Sequence, residues 1–395
     1  MRARAAARAQ EVGLPTNAAE SWRYVRVAPL AKPPATTPRP LTMTGIDALR
    51  LPGIAAVLVV IDGVYRADLS NLGAIPRGVR VDDLLAIPDS EGRALCDRWL
   101  RGMDGCDITA CWSFTDGSGG LRIRAQGAVE QPLHILSIAT GGVGGARVVI
   151  ELARGATMDL ALSHIALAPS RSSIGVDIEL GDGASLSADE LQGGEACAAS
   201  QLFSGLTAAI ARDARMSWTT AARGADLARF TADAALIAAG SAIALNSVSV
   251  LDGARQSHNH ARVSHRVGMT TSQQVFKNIA GGTAVASFDG LVTIAKGADG
   301  SQASQRNNNL LLSPTARIDT RPQLDILADD VKAGHGATIG QLDPEELFYL
   351  QTRGLDAALA RAVLTRGFAA EVVDLMRLPA CRELAQAEVL GSLGR

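Results

Sequence analysis

The sequence predicts a mainly β protein in which a stacked β coil, such as a parallel β-helix, lies between two helical segments. From about Cys106 onward, short apolar runs alternate with polar residues, and turn-type residues recur between them at near-regular intervals. Helix start and stop signals lie on either side of this region. With 395 residues, 47% of them hydrophobic and 20% charged, the chain can bury a large core.

Net charge and cysteine content narrow the classes of function. The formal charge of −2 comes from 38 basic and 40 acidic residues that are mixed along the chain, which predicts no nucleic-acid partner. The arginine-rich start lacks the apolar run of a secretory signal, and no window approaches the ~18 uninterrupted apolar residues of a membrane span. We therefore expect a cytoplasmic protein without a membrane partner. The five cysteines contain no CxxC pair, which favours reduced thiols; they are Cys96, Cys106, Cys111, Cys197 and Cys381.

Residues 1–105 are expected to form a mainly helical region with a proline-rich linker. A helical stretch over about residues 1–30 closes with Glu20–Tyr24. The prolines of residues 31–40 cannot continue a helix, so this segment is interpreted as a linker or an extended arm.

The rest of this first region combines a hairpin with further helix. Leu58–Ser70 has the pattern of a small hairpin, with Asp62 and Gly63 at the turn. Residues 81–103 are interpreted as helical pieces interrupted at Pro88.

The β core is expected over residues 106–340. Met158, Leu160 and Leu162 alternate with polar or small residues, which is strand periodicity. The turn-type positions are separated by 27 to 30 residues, a period typical of coils that stack on one another. The run Asn307–Asn309 is consistent with turns, because asparagine tolerates left-handed backbone conformations. The turn-type positions are Gly155, Gly183, Asp213, Gly240, Gly268 and Gly297.

A compact helical tail is expected over residues 341–395. Asp343 can cap the first helix, Pro344 suits the first helical position, and Glu346 completes a capping box. This helix is expected to end at Gly354. The further signals are a second helix over about Asp356–Arg366, Gly367 behind it, and a break at Pro379.

Motifs of known chemistry are scarce. The sequence has no Walker A, HExxH or GxSxG motif, and the glycine string at Gly141–Ala146 lacks dinucleotide-binding spacing, so it is interpreted as a turn. His258 and His260 share one face of a strand, either as a metal pair or, more commonly for such patterns, as the polar outer face of a coil; His265 has the opposite parity. Cys106 and Cys111 are interpreted as core thiols.

His335 is the candidate functional residue that the pattern favours most. Asp329 and Asp330 are adjacent, so on a strand they face opposite sides and cannot act together as a general acid and base. Gly334 and Gly336 leave His335 sterically uncovered in a turn at the end of the β region, with an imidazole that can bind a metal or handle protons. A purely structural role for this histidine stays open.

Two strings from this region are distinctive: DDVKAGHGATIGQLDPEELFYLQTRGL at residues 329–355 and QRNNNLLLSPTARIDTRPQLDI at residues 305–326. Together they resemble the C-terminal signature of the SufB/SufD family, scaffold proteins of iron–sulfur cluster assembly. GLPTNAAESWRY at residues 13–24 and the block at residues 258–279 support the resemblance in the expected order. The resemblance implies a non-catalytic scaffold with a right-handed parallel β-helix flanked by helical domains.

Within that family the chain resembles SufD more than SufB. SufB-like chains carry a cysteine in the segment matching Leu310–Pro322, where this chain has Ala316, and a glutamate where it has Gly336. SufD-like chains often have a cysteine two residues before the histidine, and this chain has Ala333 there. The resemblance therefore implies that His335 is the one candidate metal and cluster ligand of this loop.

The resemblance also implies partners. A SufB-like subunit would share a transient iron–sulfur cluster with His335, a SufC-like ATPase would hydrolyse ATP, and a cysteine desulfurase system would act indirectly. A flavin on the complex and a homodimer of the isolated chain stay open, and no flavin site is identified. The residues expected to begin the ATPase-docking surface are Asp343, Pro344, Glu345, Leu347, Phe348, Tyr349, Arg353 and Gly354.

Two alternatives come from other functional classes. A β-helix enzyme acting on polysaccharide would need clustered carboxylates or basic residues along a groove, and no such cluster appears at same-face spacing. A self-associating structural β-helix would have no use for the specific helical tail.

Overall fold

The structure, a computed structural model, describes residues 1–34, 36–117 and 119–389. Helices and strands follow in chain order. The helices are α1 (Arg2–Val12), α2 (Met43–Asp47), α3 (Asp89–Gly102), α4 (Ile108–Thr115), α5 (Pro344–Thr352), α6 (Ala357–Val373) and α7 (Pro379–Leu384), followed by a π-helical turn at Ala385–Val389. The strands are β1 (Ala56–Ile61), β2 (Val64–Tyr65), β3 (Val79–Asp83), β4 (Gly119–Ala125), β5 (Leu133–Ala139), β6 (Gly142–Leu152), β7 (Thr157–Ala166), β8 (Ser170–Leu180), β9 (Ser185–Gly193), β10 (Gln201–Ile210), β11 (Arg215–Ala222), β12 (Leu227–Leu236), β13 (Ala242–Leu251), β14 (Gln256–His265), β15 (Thr271–Ala280), β16 (Val285–Ile294), β17 (Ser301–Leu311), β18 (Arg317–Ile326) and β19 (Val331–Gly340).

Two sheets form the walls of a parallel β-helix of about eight turns, which confirms the predicted fold class. The first sheet has the order β19-β17-β15-β13-β11-β9-β7-β5-β1-β2, and the second has the order β18-β16-β14-β12-β10-β8-β6-β4-β3. From β4 onward, consecutive strands alternate between the sheets, so each coil contributes one strand to each. The antiparallel pairs, β1 with β2 and β3 with β4, lie at the N-terminal end.

A column of left-handed turn residues stacks the coils. In this column, the N–H of Gly155 donates to the Asp182 carbonyl at 2.8 Å, and the N–H of Gly183 donates to the Arg212 carbonyl at 2.7 Å. The same bond recurs in each following coil. The members have φ values of 68° at Gly155, 69° at Gly183, 58° at Asp213, 76° at Gly240, 59° at Met269 and 74° at Gly300.

All six predicted positions lie in turns or bends, but only the first four belong to this column. Met269 takes the place expected for Gly268, because a Cβ on Gly268 would collide with the Asp299 carbonyl, so close approach requires a glycine there. Gly297 does adopt a left-handed φ of 77°, but in a separate turn that precedes Gly300.

The coil has an apolar core inside, and different segments of the chain cover its two outer faces. Inward side chains of both sheets form one long core that includes Leu58, Ile150 and Trp218. Tail helices α6 and α7 cover the outer face of the first sheet. On the outer face of the second sheet, α4 packs against β6 and β8, and Trp22 joins a cluster with Phe203 and Leu227.

Residues 1–105 contain more strand than the sequence predicted. The hairpin is confirmed, with φ values of 48° at Asp62 and 83° at Gly63 between β1 and β2. The helix expected from residue 81 is wrong, because Val79–Asp83 pairs with β4 and the helix begins at Asp89. Strand β1 is a continuous buried apolar run that pairs in parallel with β5, as buried parallel strands do.

The tail is helical after Gly340, with two corrections. Asp343 caps α5 and Pro344 takes its first position, but the Asp343 carboxylate accepts from the Glu345 N–H at 2.8 Å, and the structure gives Glu346 no reciprocal bond. Helix α6 continues through Gly367 to Val373, because burial of its C-terminal half against the first sheet outweighs the low helix propensity of one glycine. Within the described residues, no helix is both long and apolar enough to cross a membrane.

Candidate functional site

His335 lies in the middle of β19, the last strand of the first sheet. Strand β19 pairs in parallel with β17 along its whole length, with His335 opposite Gln305. In the part of the chain that the structure describes, no strand pairs with its other side. The expected turn around His335 is therefore wrong: the long ladder with β17 holds Gly334 and Gly336 in a strand despite their low strand propensity.

The imidazole of His335 is exposed to solvent at the open end of the β-helix. His335 and both flanking glycines are exposed, and a Cβ built on either glycine would meet no other atom within 4 Å. Residues 303–306 and 332–336 line a shallow depression of about 520 Å³ around it. A partner can therefore reach His335 without rearrangement of this chain.

The register shows that His335 points toward the inside of the coil. Residues that are paired in parallel strands face the same side of the sheet. Gln305 is fully buried, whereas Ser304 and Arg306 on either side of it are exposed. His335 thus extends an inward column of Gln274 and Gln305, but the column ends with it, so its side chain stays uncovered.

The asparagine run lies in β17 rather than in a turn. Asn307 Nδ2 donates to the Phe276 carbonyl at 3.0 Å, and Asn309 Nδ2 donates to the Thr338 carbonyl at 3.0 Å. Asn308 Nδ2 donates to Thr338 Oγ1 at 3.1 Å. The turn interpretation is wrong because stacked amides hydrogen-bond between coils, and these bonds help to fix the strand that carries His335.

Other soft or acidic ligands do not gather around His335. Ala316, Ala333 and Gly336 supply none, and the described residues contain no group of three His, Cys, Asp or Glu that could hold a metal ion. Burial raises the pKa of the Cys111 thiol to about 12 and that of the Cys197 thiol to about 11, so both stay protonated. Within the described residues, His335 is therefore the one candidate ligand at this position.

The three histidines of β14 are buried rather than metal-binding. His258 Nδ1 lies 2.7 Å from Ser287 Oγ, and His265 Nδ1 lies 2.7 Å from Thr270 Oγ1. Burial lowers the pKa of His258 to about 3, so its imidazole is neutral. The metal-pair interpretation is wrong for these residues. His258 and His260 do face outward, but the N-terminal segment covers them, with the Arg26 N–H donating to Gln256 Oε1 at 3.0 Å.

The second candidate surface is the exposed side of α5. Phe348 is 67% exposed and Tyr349 is 56% exposed, which is unusual for large apolar side chains that lie next to each other. Helix α5 contacts α6, and α6 packs on β11, β13 and β15. The other residues expected to begin the docking surface are exposed as well, apart from the half-buried Leu347; they are Asp343, Pro344, Glu345, Arg353 and Gly354.

Comparisons with known proteins identify the family. A family model described as "SUF system FeS cluster assembly, SufBD core domain" matches residues 137–368, more than half of the chain. The chain belongs to the SufB/SufD family. Iron-sulfur cluster assembly protein SufD of Escherichia coli is 27% identical over 394 residues, covering 97% of this chain and 89% of the relative, so the chain is SufD-like. A SufBD family protein of Synechocystis is 28% identical over 342 residues, 81% of this chain and 74% of the relative.

Two polar clusters of this SufD-like chain escaped the reasoning from sequence. Arg321 of β18 pairs with Asp289 at 2.6 Å and with Glu20 of the N-terminal segment. Glu20 and Arg321 are 301 positions apart, so no local pattern could have joined them. The other cluster surrounds Glu190 inside the coil, where its carboxylate accepts from Trp218 Nε1 at 2.8 Å. The sequence did contain one signal for this cluster: the alternation along β9 places polar residues at positions that face the inside of the coil.

Proposed function

We propose that this SufD-like chain is a scaffold subunit of the SUF system that contributes His335 to a nascent iron–sulfur cluster site and docks an ATPase subunit on its helical tail. The observation that carries the proposal is an exposed imidazole in the middle of β19, an edge strand that has no strand on its other side among the described residues, in a chain of the SufB/SufD family. The cluster is cargo that the complex builds and passes on, so one ligand from this chain is sufficient.

The edge formed by β18 and β19 is the proposed surface for a SufB-like partner. An unpaired edge strand presents free N–H and C=O groups, and proteins normally cover such edges. Apolar side chains are exposed there: Ile326 by 38%, Leu327 by 59% and Ile339 by 46%. A partner on this edge would bury these side chains and bring its own ligands to His335.

The chemistry of a mixed site suits a temporary cluster. Imidazole can replace thiolate in iron–sulfur centres and raises the reduction potential of the cluster. We infer that a thiolate from the SufB-like subunit and His335 hold the cluster together, and that this mixed ligation releases it more readily than four thiolates would.

The tail is the proposed docking site for a SufC-like ATPase, which would perform the ATP hydrolysis of the complex. Phe348 and Tyr349 provide the apolar contact, and α6 connects that contact to the first sheet. Arg306, which pairs with Glu371 of α6 at 3.9 Å, is opposite Gly336 on β19. Movement of docked ATPase subunits would therefore be transmitted to the residue next to His335.

The experiment that tests this function replaces His335 with Ala in a complex co-expressed with SufB-like and SufC-like subunits. We expect loss of the iron and sulfide bound to the purified complex, with all subunits still present. Arg154→Ala is the matched control, because Arg154 is exposed in the turn between β6 and β7, outside the edge formed by β18 and β19. Normal cluster content in the His335→Ala complex would reject the ligand role.

A further inference from the structure

The side-chain amide of Gln305 forms a hydrogen bond on the side that faces away from His335. Gln305 is fully buried, and its Nε2 donates to Gln274 Oε1 at 3.1 Å in the coil below. Among the described residues, its Oε1 has no hydrogen-bond partner, although it is shielded from solvent. A buried acceptor without a donor is costly, so this oxygen is available to a nearby donor.

The stacking of Gln274, Gln305 and His335 indicates which group donates to Gln305 Oε1. Neighbouring strands in a sheet lie about 4.8 Å apart, and Gln305 and His335 are in register on the same inner face. Because Nε2 is bonded to Gln274 of β15, Oε1 is the amide atom left for a donor on the β19 side. His335 is the side chain at that position, and its glycine neighbours leave the imidazole free to rotate.

The second sheet makes room for this amide. Gly290 of β16 faces inward between the sheets, and a Cβ built on it would collide with Gln305 Nε2 and with the Phe288 ring. Any larger residue at position 290 would displace the amide. The position of Gln305 is therefore set from two sides, by Gln274 along the column and by Gly290 across the coil.

We propose that Gln305 is a positioning residue that accepts the N–H of one imidazole nitrogen of His335 and leaves the lone pair of the other nitrogen free for iron. A neutral imidazole has one donor and one acceptor nitrogen, so the bond to Gln305 selects the tautomer. Histidines that bind metals almost always donate their second N–H in this way. The choice of iron as the bound metal rests on the proposed function, whereas the selection of the tautomer does not.

The test measures the tautomer of His335 in the metal-free chain by nitrogen NMR of histidine-labelled protein. The spectrum is recorded about two pH units above the ordinary histidine pKa of about 6.5, and the His335 signals are assigned by their loss in His335→Gln. We expect one tautomer to predominate in the wild type. In Gln305→Leu, the tautomer ratio should change by roughly two- to tenfold, which corresponds to the net strength of one hydrogen bond.

Three further variants make the result decisive. Gln305→Glu retains an acceptor and should keep the wild-type ratio, whereas Gly290→Ala should displace the amide and resemble Gln305→Leu. Gln302→Leu, at an exposed glutamine of the same strand, should change nothing. If Gln305→Leu does not fold, the comparison of Gly290→Ala with Gln305→Glu takes its place.

The proposal is overturned if the ratio is the same in the wild type and in the folded variants that lack the acceptor. It is also overturned if Gln305→Glu reverses the ratio, because Gln305 would then be the donor. Neither result depends on cluster assembly. Loss of clusters in His335→Ala with an unchanged tautomer in Gln305→Leu would reject the positioning role alone, and the converse would reject the ligand role alone.

Discussion

Lys277 of β15 forms an ion pair with Glu371 of α6, across 94 positions of sequence. The lysine side chain is almost completely buried under α6, where its Nζ also donates to the Phe368 carbonyl at 3.0 Å and lies 4.1 Å from the centre of the Phe368 ring. Glu371 is half-exposed. The tail helix is thus attached to the first sheet by a buried cation whose partner reaches solvent.

This asymmetry predicts unequal effects of removing the two partners. Lys277→Met leaves a solvated carboxylate and an apolar side chain of similar length, so we expect a loss of about 1 kcal/mol in the free energy of unfolding. Glu371→Ala leaves the buried ammonium without its counter-ion and should cost more, about 2 kcal/mol. Urea denaturation measures both, and hydrogen exchange should locate the weakening in α6.

Lys332→Met is the control for the first variant, since Lys332 is exposed. Equal losses for Lys277→Met and Glu371→Ala would contradict the asymmetric attachment. Because the bond from Lys277 lowers the pKa of Glu371, the contribution of that carboxylate should be present above its ordinary pKa and decrease as the pH falls below it.

Asp189 predicts an opposite pH dependence at the junction of the tail with the first sheet. Burial raises the pKa of this carboxyl to about 6, although it accepts the Leu378 N–H at 2.7 Å and the Arg377 N–H at 3.0 Å. A carboxyl whose pKa is higher in the folded state favours folding at low pH, and this contribution is lost as the pH rises through about 6.

Asp189→Asn should therefore flatten the pH profile of stability. Between pH ~4 and ~7, the wild type should lose on the order of 2–3 kcal/mol relative to the variant, measured by urea denaturation at each pH. Asp233→Asn is the matched control, because Asp233 is exposed on β12 of the second sheet, away from this junction. Parallel profiles for the wild type and Asp189→Asn would show that Asp189 does not titrate in this range.

The carboxylate of Glu190 predicts a large effect of a small change. It is fully buried inside the coil and accepts hydrogen bonds from Gln192, Ser204, Trp218 and Thr220, at distances of 2.7 to 3.0 Å. His164 lies 3.2 Å away. Despite burial, these donors and the imidazole lower the pKa of Glu190 to about 2, so it folds as an anion.

Glu190→Gln keeps the shape but turns one acceptor into a donor that faces other donors. We expect it to lower the free energy of unfolding by about 2–3 kcal/mol at neutral pH. Glu195→Gln, at an exposed residue just after β9, should leave stability unchanged. A loss below about 0.5 kcal/mol for Glu190→Gln would mean that the cluster contributes little to the stability of the coil.

Features that depend on local backbone chemistry were predictable from sequence. The Asp62 and Gly63 turn, the first four members of the turn column and the Asp343 cap each follow from the preference of one or two residues for a particular φ or capping bond. The exposure of His335 likewise followed from its glycine neighbours, because glycine has no side chain to cover it.

Features that depend on the adjacent coil were not predictable. Asn307–Asn309 and the glycines beside His335 have turn-forming preferences, yet both lie in strands, because the neighbouring strand provides a hydrogen-bonding template. Gln305 gains its significance from residues about 30 positions away on either side. Its relation to Gln274 and His335 became visible only with the register of β15, β17 and β19.

The exposed pair on α5 makes the last prediction, which concerns the proposed ATPase partner. Phe348 and Tyr349 do not support the fold of this chain, since each is more than half exposed. Replacing both with Ala should therefore change the free energy of unfolding of the isolated chain by no more than about ±0.5 kcal/mol, as surface substitutions usually do. Large apolar and aromatic anchors often dominate the energy of an interface, with losses of 2 kcal/mol or more, roughly 30-fold in affinity, when they are truncated.

The double variant should thus weaken the binding of a SufC-like ATPase at least roughly 30-fold, as measured by titration calorimetry with purified proteins. Leu85→Ala is the matched control, because Leu85 is 71% exposed but lies in the N-terminal region, away from the tail. Point variants are preferable to removal of residues after 340, since α6 and α7 cover the outer face of the first sheet and their loss would expose it. Unchanged ATPase affinity in a folded double variant would reject α5 as the docking surface, and it would do so without bearing on the ligand role of His335.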